Sequence, residues 1–158
     1  MTDKPLRVYA DTSVFGGVRD EEFSEPSRRF FAQAREGRFA LVLSALVQRE
    51  LKPAPEEVRG LFEEALLFAE VVDVAAEAML LQQAYLAAQI VSAKFSDDAL
   101  HVATATVTEC SVIVSWNFKH IVHYDKIPLY NAVNTMNRYP SIAIYSPREV
   151  IAYEDQDL

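Results

Sequence analysis

The sequence is poor in cysteine, glycine and positive charge. Its single cysteine, Cys110, excludes an internal disulfide. Its 4 glycines provide neither a dinucleotide-binding fingerprint nor a Walker loop, and they exclude a glycine-rich solenoid. The 15 Lys and Arg residues are outnumbered by 23 Asp and Glu residues, which leaves a formal net charge of −8. Such a chain does not wrap nucleic acid by bulk charge, although a local basic rim or a bound metal ion is compatible with it.

Long hydrophobic runs are also absent. The longest apolar stretch, Phe39–Val47, is interrupted by Ser44 and has about half of the roughly 18 residues that indicate a membrane span. The first segment, Met1–Ala10, carries charges and a proline, so it does not fit a signal peptide. We therefore expect a cytoplasmic protein with no membrane-spanning segment.

The composition is that of an ordinary globular protein. With 51% hydrophobic residues, the chain can bury a substantial core without metal or disulfide cross-links. The sequence has no repeat, no low-complexity stretch and no internal linker. We expect a single domain over residues 1–158, with its core at about 6–151 and a frayed acidic tail at 152–158.

Short apolar runs alternate with amphipathic segments along the chain. The expected strands are Leu6–Ala10, Phe39–Leu43, Val71–Val74, Val112–Ser115 and, at a sheet edge, Ile142–Tyr145. The expected helices are Ser24–Arg35, Ala45–Leu51 after a Ser44 cap, Glu56–Phe68, Ala75–Lys94, a helix that Ser96 caps and that runs to Val107, and a short one that opens at Pro147. Because the strands are apolar throughout, the pattern predicts a three-layer α/β/α sandwich with a mainly parallel central sheet.

Acidic and amide side chains follow the expected strands at their carboxyl ends, where open parallel sheets bind ligands. Asp11 follows the first strand directly, Glu50 lies seven residues past the second, and Asn117 lies two residues past the fourth. Asp97 and Asp98 open the helix that leads into that fourth strand. Clustered carboxylates repel one another unless they share protons or a cation. Carboxylate oxygens suit Mg²⁺ or Mn²⁺, which activate water and stabilise a phosphodiester under attack.

Each acid also has a simpler interpretation. Asp11 can terminate a strand by accepting local hydrogen bonds, and Glu50 can be a solvated acid on a helix. Asp97 and Asp98 can both be first-turn acids that the helix dipole favours. We assign the helix-dipole role to Asp97 and the metal role to Asp11, Glu50 and Asp98, so that metal-dependent hydrolysis of nucleic acid is our hypothesis.

Four segments occur in a characteristic order, namely VYADTSV at 8–14, SALVQRE at 44–50, DALHVATA at 98–105 and SWNFKH at 115–120. In this order they resemble the PIN-domain family, and within it the VapC-type toxin ribonucleases. The resemblance runs from about Leu6 to Ser146. It implies a PIN-like fold and a Mg²⁺- or Mn²⁺-dependent endoribonuclease that is often a homodimer. It also implies the toxin of a type II toxin–antitoxin pair, which a co-expressed antitoxin protein holds inactive.

Carried over by motif, the resemblance makes Asp11, Glu50 and Asp98 the principal metal ligands and catalytic acids, with Asn117 at the fourth catalytic position. That fourth position departs from the family, whose members commonly have an acid there, and His120 stands where a later Asp is found. Asn117 can ligate through its carbonyl oxygen or hold a metal-bound water, but it adds no charge. The departure keeps an alternative open, a PIN-like module that has lost catalysis and binds RNA or a protein partner.

Several other side chains near these motifs have two interpretations. His101 lies one helical turn from Asp98 and can hydrogen-bond near the site or pack; we favour packing. Exposed aromatic rings can stack on unpaired bases, and the candidates are Phe15, Trp116, Phe118 and Tyr124. For Trp116 and Phe118 we favour core packing. A phosphatase of the haloacid dehalogenase type would need an acid at position 13, where the chain has Ser13.

Overall fold

A parallel β-sheet lies at the centre of the molecule, between helices on its two faces. The computed structural model describes residues 4–153. The strands are β1 (Arg7–Ala10), β2 (Ala40–Ser44), β3 (Glu70–Val72), β4 (Val112–Val114) and β5 (Ala143–Tyr145). Their order in the sheet is β3-β2-β1-β4-β5, and every neighbouring pair is parallel. The predicted three-layer α/β/α sandwich is confirmed, and β5 lies at an edge as expected.

Helices connect the strands and cover the sheet. They are α1 (Thr12–Gly16), α2 (Ser24–Arg35), α3 (Ala45–Leu51), α4 (Glu56–Ala65), α5 (Ala76–Ala87), α6 (Ser96–Val107), α7 (Ile127–Met136) and α8 (Pro147–Val150). Two 3₁₀ turns, Gly17–Arg19 and Ala93–Phe95, precede α2 and α6. Within the described range, none of the helices is both long and apolar enough to cross a lipid bilayer.

The central strand β1 determines where a ligand site can form. Val8, Tyr9 and Ala10 are almost completely buried, as expected for a strand covered on both faces. β1 pairs with β2 on one side and with β4 on the other. The connections that leave β1 and its neighbours therefore diverge at the carboxyl edge of the sheet, which is where open parallel sheets have their binding crevice.

The long helix predicted over Ala75–Lys94 is wrong at its C-terminal end. α5 ends at Ala87, and Gln89 adopts a left-handed backbone conformation with φ of 59°. The turn buries Ile90 and Val91, and this burial favours ending the helix although the alanine- and leucine-rich pattern continues. Ser96 is the first residue of α6 and Phe95 holds the N-cap position, so the predicted Ser96 cap is also wrong.

Two helices were missed by the sequence patterns. α1 is a single turn directly after β1, and it is capped by the side chain of Asp11. α7 buries Tyr130, Val133 and Asn134. Because Asn134 is polar, the hydrophobic periodicity of this segment is weak. Asn134 can be buried because its side-chain oxygen accepts a hydrogen bond from the hydroxyl of Tyr85.

The first two residues of the expected tail, Ala152 and Tyr153, form hydrogen bonds with residues of α2 and α8. The backbone N–H and carbonyl of Ala152 each form a 2.8 Å hydrogen bond with the side chain of Gln33. The hydroxyl of Tyr153 donates to the carbonyl of Arg148 at 2.9 Å. Both residues are therefore anchored to helices, and residues 154–158 lie outside the described range.

Gly17 is required by a close approach between the first 3₁₀ turn and Trp116. A Cβ atom at position 17 would lie 2.7 Å from both Oγ of Ser27 and Nε1 of Trp116. We expect Gly17→Ala to lower the free energy of unfolding by about 1–3 kcal/mol, because overpacking strains a well-packed core. The matched control is Gly16→Ala, because a Cβ there has nothing within 4 Å. Urea unfolding followed by the fluorescence of the only tryptophan measures both variants, and equal stability of the two would contradict the expectation.

Candidate active site

The acids predicted from the sequence lie at the carboxyl edge of the sheet. Asp11 follows β1, and its backbone N–H donates to the carbonyl of Val114 at the end of β4. Glu50 is on α3, which follows β2, and Asp98 is in the first turn of α6. Asn117 follows β4 and hydrogen-bonds Asp98 through its side chain. Four positions that are far apart in sequence are thus brought to one edge.

The carboxylate of Asp11 is buried and held by three donors. Its Oδ1 atom accepts from the backbone N–H of Ser13 at 3.1 Å and from the Ser13 hydroxyl at 2.6 Å, and Oδ2 accepts from the Ser115 hydroxyl at 2.6 Å. Burial raises the pKa of Asp11, and the charge of Asp98 adds to this rise. The charge of His101 and the two serine hydroxyls lower the same pKa but do not fully offset burial.

Glu50 belongs to a chain of hydrogen bonds that runs into the core. Its Oε1 atom accepts from the Thr12 hydroxyl and lies 2.6 Å from each of Thr12 Oγ1 and His101 Nε2. The other ring nitrogen of His101 lies 2.7 Å from the Tyr9 hydroxyl, which is 2.7 Å from the Ser44 hydroxyl. Burial raises the pKa of Glu50, but the hydrogen bond and charge of His101, with the Thr12 bond, outweigh it and lower this pKa. Glu50 is therefore held ionised and fixed in position.

His101 shows that the preference for simple packing was wrong. The ring is 2% exposed, so it does pack in the core. It also connects Glu50 to Tyr9, and its charge acts on Asp11 and Asp98. The only sequence signal for this role was its spacing of one helical turn from Asp98.

Asp98 is half-buried and is oriented by Asn117. Burial raises the pKa of Asp98, and the charge of Glu50 raises it further. The Asn117 hydrogen bond and the charges of His120 and His101 lower it. The carbonyl oxygen of Asn117 accepts from the backbone N–H of His120 at 2.9 Å, so its amide group donates to Asp98. The structure thus directs the Asn117 oxygen to the backbone, whereas the sequence suggested that it could ligate a metal.

Asp97 is separated from this group of acids. Its carboxylate lies 3.7 Å from the guanidinium of Arg49, and both side chains are exposed. The site therefore distinguishes two consecutive acids, because Asp98 alone is hydrogen-bonded to Asn117. This difference makes Asp97 a matched control for substitutions at Asp98.

Comparison with known proteins gives the fold its name. No protein-family model and no curated protein sequence matches this chain. The structure is similar to that of VapBC2 from Rickettsia felis bound to a DNA fragment from their promoter, with a TM-score of 0.55, 13% identity, and coverage of 88% of this chain and 97% of that chain. DNA-bound VapBC from Salmonella typhimurium gives a TM-score of 0.56 and 18% identity, over 90% of this chain and 98% of that chain. The chain has a PIN-type, VapC-like fold. At these identities the likeness establishes the fold alone.

Metal-binding capacity is limited in this PIN-type fold as the side chains stand. Between residues 4 and 153, no three His, Cys, Asp or Glu side chains converge closely enough to hold a metal ion by themselves. Mg²⁺ is commonly held by one or two carboxylates and keeps several waters. The charge of Asp98 raises the pKa of Asp11, and a bound cation would relieve this repulsion. The donor set therefore fits a hydrated Mg²⁺ or Mn²⁺ ion and does not fit a closed, all-protein site.

His120 stands at the position where the sequence resemblance implies a later acid. Its ring stacks on Phe95 with centroids 3.9 Å apart, and no residue of the described range hydrogen-bonds its buried Nδ1 atom. Burial lowers the pKa of His120, and the charges of Lys119 and Lys126 lower it further, against the opposite effect of Asp98. The segment around Asp98 thus contains an imidazole ring with two cations near it.

Several residues of this candidate site were missed from the sequence. Thr12, Ser115 and Tyr9 supply hydroxyl groups to Glu50, Asp11 and His101. A polar residue at the end of an apolar strand was the available signal for Thr12 and Ser115. Tyr9 had no such signal, because a tyrosine inside an apolar strand is usually part of the core.

Proposed function

We propose that this chain is a hydrolase that uses Mg²⁺ or Mn²⁺ to cleave RNA phosphodiesters as an endoribonuclease. The observation that carries the proposal is the connection among three acids at one sheet edge. Thr12, beside Asp11, bonds to Glu50, and His101 acts electrostatically on Asp11, Glu50 and Asp98. The charge of Asp98 raises the pKa of Asp11, and that of Glu50 raises the pKa of Asp98. Carboxylates coupled in this way in a partly buried site are typical of groups that bind a cation.

Each acid has a role in holding the ion. Asp11 and Asp98 would hold it, with Glu50 as the third acid of the set. When bound, such an ion supplies activation of water and stabilises charge on the phosphodiester. The chain's own groups keep the acids ready for this: His101 fixes Glu50, and Asn117 donates to Asp98. Asn117 therefore acts on the orientation and charge of a neighbouring carboxylate.

A local group of cations supports an RNA substrate despite the acidic composition. Lys119 is exposed beside Asn117, and Lys126 lies close enough to influence His120. The ammonium group of Lys94 lies 5.6 Å from the ring centroid of Phe95, on which His120 stacks. Positive groups beside an acidic site attract phosphate locally, and the net charge of −8 then matters less.

Cleavage of single-stranded RNA by the purified protein tests the proposal. We expect cleavage in Mn²⁺ or Mg²⁺, its loss in EDTA, and its recovery when Mn²⁺ is added back in excess. The same preparation is tested for a metal-induced rise in its melting temperature, because an ion that binds only the folded protein stabilises it. If the protein shows no cleavage and no thermal shift with either metal, the proposal of a metal-dependent nuclease is refuted.

The second candidate is a PIN-like module that binds RNA or a protein without cleaving it. It is favoured by one observation, that Asn117 and His120 stand where the family commonly has acids, so that negative charge is low at this end of the site. RNA binding with no cleavage in any divalent metal would support this candidate.

We further propose that the chain acts in the cytoplasm as the toxin of a toxin–antitoxin pair, as a single domain over residues 1–158. The support is that the two structural neighbours are VapBC complexes. Its partner would be a VapB-like antitoxin, and the chain would form homodimers. Exposed Leu80 and Met136, on α5 and α7, provide apolar surface of the kind that protein interfaces use. Co-purification with the protein encoded by the neighbouring gene tests the antitoxin partner. Light scattering of the chain alone tests the homodimer.

A further inference from the structure

Phe118 exposes an aromatic ring on the segment that follows β4 and carries Asn117. Its side chain is 44% exposed, and it is the next residue after Asn117, which hydrogen-bonds Asp98. The backbone N–H of Phe118 donates to the carbonyl of Trp116 at 2.9 Å, which holds the chain in a tight turn. Core packing was the sequence-based preference for Phe118, and the exposure of the ring shows that this preference was wrong.

The ring of Phe118 is supported by two packed aromatic rings, those of Trp116 and Phe23. Trp116 is 6% exposed, and its Nε1 donates to Oγ of Ser27 at 2.8 Å. Phe23 stacks on Trp116 with centroids 4.1 Å apart and planes at 14°. The Phe118 centroid lies 6.1 Å from each of these two rings. An exposed ring that is supported in this way loses little conformational freedom when another flat group stacks on it.

The Trp116 residue of this aromatic support is also connected to the acid site by a hydrogen bond. The backbone N–H of Trp116 donates at 2.8 Å to the Ser13 hydroxyl, which itself donates to Asp11. Phe118 thus lies one residue after Asn117 and two residues after Trp116, whose backbone N–H bonds to the hydroxyl that orients Asp11. A ligand group stacked on Phe118 would be held next to the proposed reaction centre.

Cationic side chains flank the aromatic surface. The guanidinium of Arg148 lies 5.2 Å from the Trp116 ring centroid and 5.7 Å from that of Phe23. Lys119 is exposed and follows Phe118 directly. An aromatic surface with adjacent cations matches a flat base joined to a phosphate.

We propose that Phe118 is a stacking site for an unpaired base of single-stranded RNA, with Lys119 contacting the neighbouring phosphate. The inference rests on the proposed function and gives it a specific substrate form, because a base in a duplex is not free to stack on a protein ring. Stacking tolerates any base, so Phe118 selects unpaired strands and not a sequence.

Binding in EDTA tests the inference separately from cleavage. The probe is a fluorescein-labelled single-stranded RNA oligonucleotide, and anisotropy gives its Kd. We expect Phe118→Ala to weaken binding about tenfold, which is within the range measured for loss of one base–aromatic stack. Phe118→Tyr should restore binding, because the ring is kept. The control is Leu67→Ala, which removes another exposed apolar side chain, on the segment that follows α4, and should bind as the wild type does.

Oligonucleotides with a single abasic position identify the contact. We expect one abasic position to weaken wild-type binding and to have little further effect in Phe118→Ala, because the same stack is lost in both. Equal Kd values for Phe118→Ala and wild type, or failure of Phe118→Tyr to restore binding, would overturn the inference. Loss of binding to a protein partner with unchanged RNA affinity would also overturn it, and would make the ring a protein contact.

The binding and cleavage measurements together distinguish failure of the stacking site from failure of the proposed nuclease function. Cleavage by the wild type in Mn²⁺ with no effect of Phe118→Ala on binding would remove the stacking site and keep the nuclease. Binding that depends on Phe118 without cleavage in any metal would keep the stacking site and remove the nuclease. Absence of both binding and cleavage in the wild type would remove both.

Discussion

Replacing Asp98 with Asn is expected to reduce RNA cleavage by about 100-fold or more without weakening the fold. The substitution removes a charge that the proposed ion needs, and even groups one step removed from a metal commonly change activity 10- to 100-fold. In the folded protein, burial raises the pKa of Asp98, so its ionised form is disfavoured there relative to the unfolded chain. A neutral, similarly shaped side chain removes that cost, so stability should stay equal or increase.

The control for this variant is Asp97→Asn. Asp97 precedes Asp98 on the same helix turn but faces Arg49 on the surface, so its substitution should leave cleavage within about twofold. Turnover of a labelled RNA and thermal unfolding are measured for both variants. Equal losses of activity in the two, or an unfolded Asp98→Asn protein, would contradict the assignment of Asp98.

The stability difference between Asp98→Asn and wild type should depend on pH in a defined direction. Because the folded-state pKa of Asp98 is above the ordinary 3.8, the folded protein binds the proton more tightly than the unfolded chain. The cost of ionised Asp98 is therefore absent below pH 3.8 and complete once the pH exceeds the folded-state pKa. In metal-free buffer the advantage of Asp98→Asn should grow from about pH 4 to pH 7. Urea unfolding at these pH values checks the sign, and a shrinking advantage would contradict it.

Removing the imidazole with His101→Ala should lower both stability and activity. The ring bonds to Glu50 and Tyr9 in a buried position, so its loss leaves a cavity and breaks a hydrogen bond to a charged group. We expect a cost of about 3 kcal/mol in the free energy of unfolding. Glu50 would also lose the partner that fixes it, which should reduce cleavage about 10- to 100-fold.

A second substitution separates positioning of Glu50 from general loss of structure. Tyr9→Phe keeps the ring volume and removes only the hydroxyl between His101 and Ser44, so it should cost about 1 kcal/mol and reduce cleavage less than His101→Ala does. Because His101 is a positioning residue, its loss should lower kcat more than it raises KM. Full activity of folded His101→Ala would show that the hydrogen bond to Glu50 is not needed.

The parts of the site that lie next to strands could be predicted from the sequence. Asp11 ends the apolar run that forms β1. Ser44 caps α3 as expected, because its hydroxyl oxygen accepts from the backbone N–H of Val47 at 3.3 Å. The parallel arrangement then brings the ends of β1, β2 and β4 together, and this alone places Glu50 near Asp11. These features are local in sequence or follow from topology.

The features that were missed depend on long-range packing. The role of His101 requires that Tyr9 and Glu50, which are distant in sequence, approach the same ring. Likewise, α5 ends early because Ile90 is buried by tertiary contacts, which the local pattern does not contain. The direction of the Asn117 oxygen was undetermined because it depends on the turn that brings the N–H of His120 to it.

The hydroxyl of Ser13 forms one hydrogen bond with the backbone of Trp116, beside the aromatic surface, and another with the carboxylate of Asp11. The hydroxyl proton is donated to Asp11, so the oxygen can only accept from the N–H of Trp116. A displacement of the Trp116 backbone would therefore act on the same hydroxyl that orients the Asp11 carboxylate. The segment that carries the outer rings and the buried acid are thus held by one shared hydroxyl group.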